Sequence, residues 1–170
     1  MSTFDRAFGL VLGSEGGYSN DPRDRGGETK FGIADAADGR VDGKVDLNRD
    51  GVPDVAVSAL TVQQAKEVYK VQYWDRVQGD KLPPKLAVCM FDAAVNQGVS
   101  AAVKALQRAV GVQVDGVLGT GTLRAVQALP EALAVQYFMA ERALLYAQNS
   151  QLSVYGRGWM RRLIRTVQEA

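Results

Sequence analysis

Apolar residues recur at helical spacing from the start of the chain, with Phe4, Phe8, Val11 and Leu12 on one stripe and Asp5 and Arg6 off it. This spacing predicts a helix over 3–14, capped by Thr3 and halted by Gly16-Gly17. Glu15 falls four residues after Val11 and so extends the stripe that enters the core. From 18 to about 57 the text is rich in Gly, Asp and Asn, with Val-containing pieces at 41–45 and 55–57 that can pair as a small hairpin.

The pattern turns helical near 61 and stays so. Thr61 caps "TVQQAKEVYKVQYWDRV", whose stripe is Val62, Ala65, Val68 and Tyr69. Pro83-Pro84 precede "KLAVCMFDAAVNQG", a mostly buried helix ending at Gly98, and "SAAVKALQRAVG" follows. A turn-rich "VQVDGVLGTG" leads into "TLRAVQAL", and Pro130 opens a long helix to about 148. Gly156–Gly158 precede the last predicted helix, "WMRRLIRTVQE". It sets Trp159, Met160, Leu163, Ile164 and Val167 on one face, against Arg157, Arg161, Arg162 and Arg165 on the other. The expectation is a mainly α chain with a small β or loop wing near its N-terminus, forming one integrated body over 1–170.

Composition narrows the chemistry. The chain has 170 residues, net charge +1, no histidine and one cysteine. A net charge this small gives no global field toward nucleic acid. Lack of histidine removes Ser-His-Asp and Cys-His schemes, and Cys89, inside "LAVCMF", reads as a small core residue. Carboxylates are then the natural acid–base groups. The segment "EGGYSNDPRDRGGETKFGI" places Glu15 at a helix end against the core, where burial would raise its pKa, and sets Asp21, Asp24 and Thr29 on the glycine-rich loop beyond. Two carboxyl groups in unlike surroundings suit glycosidic cleavage. A polar turn after a helix is the competing reading.

A second acidic run, "DLNRDGVPD", matches the start of an EF-hand-type loop through Asp46, Asn48, Asp50 and Asp54. Val57 stands where a bidentate Glu would close such a loop, which predicts only weak calcium binding, with an Asx-rich turn as the alternative. Asn96 and Gln97, in "FDAAVNQG", are placed to hydrogen-bond sugars; equally, Asp92 and Asn96 can tie helices together one turn apart. Tyr73 and Trp74 can stack on sugar faces or pack as core. The arginines of the last helix can meet lipopolysaccharide or wall polymers, or form a solvated back face.

"EGGYSNDPRDRGGETKFGI", together with "LTVQQAKEVYKVQYW", "FDAAVNQG", "LQRAVGVQVDGVLGTGTLRAV" and "YGRGWMRRL", resembles glycoside hydrolase family 108, muramidases of phage and prophage. The resemblance runs over roughly residues 5 to 167. It implies a lysozyme-like fold, with a catalytic motif region over about 5–95 and a peptidoglycan-binding-like helical region over about 96–167. It further implies hydrolysis of the β-1,4 bond between N-acetylmuramic acid and N-acetylglucosamine, Glu15 as general acid and no required cofactor. The Glu15, Asp24 and Thr29 set is in turn similar to the Glu/Asp/Thr arrangement of phage lysozymes with related folds, which implies Asp24 as the base that orients water and Thr29 as its hydrogen-bonding partner, with Asp21 the runner-up for the second carboxylate. Tyr18 and Asp21 are assigned to substrate contact. The expected protein is a monomeric endolysin made in the host cytoplasm, without leader or membrane span, that reaches the periplasmic wall after a separate protein permeabilises the membrane. A lytic transglycosylase using the same glutamate, or a wall-binding protein without catalysis, are the alternatives.

Overall fold

The computed structural model describes residues 1–13, 18–19, 27–35, 42–47 and 50–170. These form seven α-helices and two small antiparallel hairpins, so the described chain is mainly α, as its periodicity predicts. Two compact units emerge, one of 1–7 with 73–170 and one of 8–72.

Helix α1 runs Thr3–Leu12. Its cap is Ser2 rather than Thr3: the Asp5 amide donates to Ser2 Oγ at 3.0 Å, and the Ser2 amide donates to Asp5 Oδ2 at 2.8 Å. Asp5 therefore closes a reciprocal box instead of facing only water.

In the 8–72 unit, β1 (Thr29–Lys30) pairs with β2 (Ile33–Ala34), and β3 (Lys44–Val45) pairs with β4 (Val55–Ala56). The second hairpin is the one that the valine pieces predict. The first turns through Phe31 at φ 53° and Gly32 at φ 75°, as a two-residue hairpin of the primed kind requires. A phenylalanine there is held by its surroundings: Tyr69 Oη donates to the Phe31 carbonyl at 3.0 Å, and Lys30 Nζ lies 5.4 Å from the Phe31 ring centre. Buried Asp35 accepts the Asp42 and Gly43 amides at 3.2 and 2.9 Å, fixing the approach to β3. Helix α2 (Val62–Tyr69) begins with a full Thr61/Gln64 capping box. Ala65, Val68 and Tyr69 are buried, whereas Val62 is exposed, since it occupies the first turn beside the cap.

A π-helical stretch, Lys70–Trp74, continues from α2. In the larger unit, Trp74 packs on Phe4 and Phe91 with ring centres 5.3 and 5.8 Å away, and Phe4 meets Phe91 edge-on at 5.7 Å. Its indole N–H donates to Asp80 at 3.1 Å. Around this cluster lie α3 (Pro84–Gln97), α4 (Val99–Ala109), α5 (Thr120–Gln127), α6 (Glu131–Ala147) and α7 (Leu152–Glu169). Helix α3 is buried on every side from Leu86 to Ala94, as a run apolar but for Asp92 must be. Within it, burial pushes the Cys89 thiol up to about 12, which keeps it protonated and unreactive.

Helix α7 departs from expectation by starting at Leu152 and carrying Gly156 and Gly158 inside it. Asn149 Oδ1 accepts the Gln151 amide at 2.9 Å and sets the entry turn. Leu152 packs closely over the buried Gly156, where a Cβ would come within 2.8 Å of Leu152 Cδ1. The inward face differs too: Gly156, Leu163 and Thr166 are buried, while Ile164 and Val167 are exposed.

Gly79 lies so close under Trp74 that a Cβ would stand 2.4 Å from the indole. Gly79→Ala should therefore lower unfolding stability by about 1–3 kcal/mol and red-shift the emission of Trp74 as the ring is displaced. A denaturation midpoint and spectrum equal to wild type would contradict this packing.

Candidate functional site

Of the residues that the sequence singles out, Glu15, Asp21, Asp24 and Asn48 lie outside the described residues. The described flanks of the acidic segment are tied together. The Ser19 amide donates to the Thr29 carbonyl at 2.8 Å, and the Thr29 amide returns the bond to Ser19 at 2.9 Å. Thr29 is thus anchored through its backbone at the entrance to β1 and is half-buried, while Tyr18, beside the bridge, is exposed.

The described part of the "DLNRDGVPD" loop folds largely onto its own backbone. Asp46 accepts the Gly51 amide at 2.7 Å, Asp50 the Val52 amide at 2.8 Å and Asp54 the Leu47 amide at 2.7 Å. Among the described residues no three acidic, Cys or His side chains converge as metal ligands. The Asp50–Val52 bond is an Asx turn, and Asp46 and Asp54 brace the same loop through backbone amides further away.

In the larger unit the predicted residues part company. Trp74 is only 1% exposed and enclosed by Phe4, Phe91 and Gly79, so it has no face for a sugar and is core. Tyr73, next to it in the π-helical stretch, remains half-buried. Asn96 and Gln97 end α3 together, where Gly98, at φ 89°, breaks the helix before α4.

What positions them is a charged layer that the sequence leaves unpaired. Asp92, fully buried one turn earlier, receives Arg142 Nη2 of α6 at 2.8 Å and Arg162 Nε of α7 at 2.9 Å. Arg142 is also fully buried, and its Nε donates to Gln97 Oε1 at 3.0 Å. One turn further along both helices, Tyr146 Oη donates to Asn96 Oδ1. Burial chiefly, with the Asp92 charge adding and Arg142 opposing, raises the Tyr146 pKa, so the phenol stays a donor. Trp159, one turn before Arg162 on α7, stacks on Tyr146 at 4.9 Å and 14°. Arg162 therefore points inward rather than joining a cationic outer face, and Arg165 pairs with Glu169 at 3.4 Å.

The turn between α4 and α5 rests on a residue that sequence reasoning misses. Buried Gln107 donates from Nε2 to Asp115 Oδ1 at 2.6 Å and to the Val117 carbonyl at 3.0 Å, while its Oε1 accepts the Gly116 amide at 2.8 Å. Its amide behaves as a strand backbone would, bonding both sides of the Asp115-Gly116 turn. Gly116 sits at φ 80°, where a side chain would be strained. A glutamine on the buried side of a helix eight residues before an Asp-Gly turn is the signal that could have revealed it.

The sequence model described as glycosyl hydrolase 108 matches residues 8–98, and a predicted peptidoglycan domain matches 101–164. Among solved structures, Brucella abortus SagA is similar at 34% identity over 98% of this chain and 92% of its own, with a TM-score of 0.80. No curated protein matches the chain.

Two consequences can be measured. Asp92→Ala strands a buried guanidinium and should cost about 3–5 kcal/mol of stability in urea unfolding; a loss below about 1 kcal/mol, the worth of an exposed pair, would contradict the burial. The Gln107 amide first, then the Val117 N–H, hold the Asp115 carboxyl below the usual aspartate range. A depressed carboxylate contributes stability above its unfolded pKa and loses it as pH falls through the folded one. Asp115→Asn should thus melt below wild type at neutral pH, with the gap closing on acidification beneath the usual aspartate range. A gap that stays constant with pH would contradict the linkage.

Proposed function

We propose, from the premise that this chain belongs to glycosyl hydrolase family 108, that it is an N-acetylmuramidase in which Glu15 is the general acid. Membership makes it a mainly α, lysozyme-like glycoside hydrolase acting on peptidoglycan. The observation that carries the finer reading is the order of the two matched segments. The hydrolase match, 8–98, spans Glu15, Asp21, Asp24 and Thr29, and a peptidoglycan domain follows directly at 101–164. The SagA likeness extends across both.

In this reading Glu15 donates a proton to the leaving glycosidic oxygen. Asp24 activates the attacking water, with Asp21 the other carboxylate of the same segment, and Thr29 hydrogen-bonds that water. Asn96 and Gln97, held by Tyr146 and Arg142, present amides to the sugar, and Tyr18 and Tyr73 contribute aromatic contact. Acid–base chemistry of this kind needs no cofactor. The protein would serve as an endolysin, monomeric and released to the wall through lesions made by a separate protein; no described helix is long and apolar enough to cross a membrane.

Lysis of outer-membrane-permeabilised Gram-negative cells, followed by turbidity, tests the acid. Glu15→Gln should slow clearing by about 100-fold or more, the lower end of what a positioned general acid contributes, while keeping wild-type melting and wall binding. A folded variant that clears cells as fast as wild type would remove Glu15 from the role.

A further inference from the structure

Beyond Asn96 and Gln97, the end of α3 opens onto a groove of about 390 Å³ whose other walls come from α4, α6 and α7. This volume lies within the roughly 300–1,000 Å³ of small-molecule sites. Tyr146, Asn149 and Trp159 line it with Asn96 and Gln97, and no charged side chain does so among the described residues.

The amides are oriented by their oxygens. Gln97 Oε1 is taken by Arg142 Nε and Asn149 Oδ1 by the Gln151 amide, both of which can only donate. Asn96 Oδ1 is taken by the Tyr146 hydroxyl. Each –NH2 group is left without a protein acceptor among the described residues, as is the indole N–H of Trp159. The groove thus combines neutral donors with an aromatic platform, Trp159 braced by Tyr146 at 4.9 Å and by Tyr155 at 6.0 Å.

We infer that this groove is a subsite for a 2-acetamido sugar of the glycan strand, with Trp159 packing on the pyranose and Asn149, Asn96 and Gln97 donating to acetamido and hydroxyl oxygens. Phosphate or a peptide carboxylate would call for a cation at the surface of the groove, and Arg142 is instead buried behind it and spent on Asp92 and Gln97. An uncharged acceptor-rich ring fits better. The inference rests on the reading of the protein as a peptidoglycan hydrolase, and it adds Asn149 and Trp159 to the residues that meet substrate, with Tyr146 bracing both Trp159 and Asn96.

The chain has two tryptophans, and Trp74 is sealed in the core, so emission changes on titration report on Trp159. Titration of the full chain with a β-1,4-linked N-acetylglucosamine tetramer should change that emission saturably. Asn149→Asp keeps an oxygen for the Gln151 amide and turns the donor into a charged acceptor, and since a carboxylate suits the N-terminus of α7 it should melt no lower than wild type. Its Kd for the tetramer, followed by calorimetry, should rise about tenfold, the equivalent of one good hydrogen bond. Trp159→Ala, measured by calorimetry, should weaken binding at least as much. Equal affinity in wild type and both folded variants would overturn the groove while leaving the hydrolase reading intact. Wall cleavage by a wild type that shows no tetramer binding would do the same. A protein that neither binds the tetramer nor cleaves purified peptidoglycan would overturn both.

Discussion

Asp92 is a carboxylate in the middle of a helix buried on every side, and the larger unit is organised around satisfying it. An uncompensated charge there would cost several kcal/mol, so α6 and α7 must each deliver an arginine to the same point, Arg142 at 2.8 Å and Arg162 at 2.9 Å. Helical periodicity then propagates this register. One turn on from Asp92 and Arg142 stand Asn96 and Tyr146, which bond to each other, and one turn back from Arg162 stands Trp159, which stacks on Tyr146. Three helices are thereby keyed through two layers, one charged and sealed, one polar and aromatic at the edge. Hydrophobic packing alone tolerates sliding; a shared carboxylate does not.

The same layers connect stability to the groove. Arg142 holds Asp92 and the Gln97 amide at once, so the group that neutralises the core also sets the direction of a side chain that lines the groove. In the neighbouring turn Gln107 does comparable work without charge, bonding both sides of Asp115-Gly116. In both places a long polar side chain, buried and fully used, fixes backbone that apolar contacts would leave loose.

Local signals in the sequence were legible where one segment decides the outcome. Thr61 caps α2, Pro84 opens α3, Pro130 precedes α6, and the valine pieces pair as β3 and β4. Asn96 read as a sugar contact or, together with Asp92, as a helix tie; the structure makes Asp92 a tie and bonds Asn96 to Tyr146. What could not be read depends on distant partners. Phe31 turns a hairpin because Tyr69 holds its carbonyl, Trp74 is core because Gly79, Phe4 and Phe91 close around it, and Arg162 faces inward because Asp92 waits there. The glycines of α7 look like a break but sit inside the helix, since the buried Gly156 makes room for Leu152. Glu15, Asp21 and Asp24 were singled out by chemistry and motif, and Thr29, beside them, is anchored by its bridge to Ser19.

Hydrolysis at the N-acetylmuramic acid side of the glycan bond, as proposed, would leave its mark on the products. Purified peptidoglycan digested by the protein and analysed by mass spectrometry should yield muropeptides ending in reducing N-acetylmuramic acid, each heavier by one water than its anhydro counterpart. Termini of 1,6-anhydro-N-acetylmuramic acid, or new reducing ends on N-acetylglucosamine, would contradict the account.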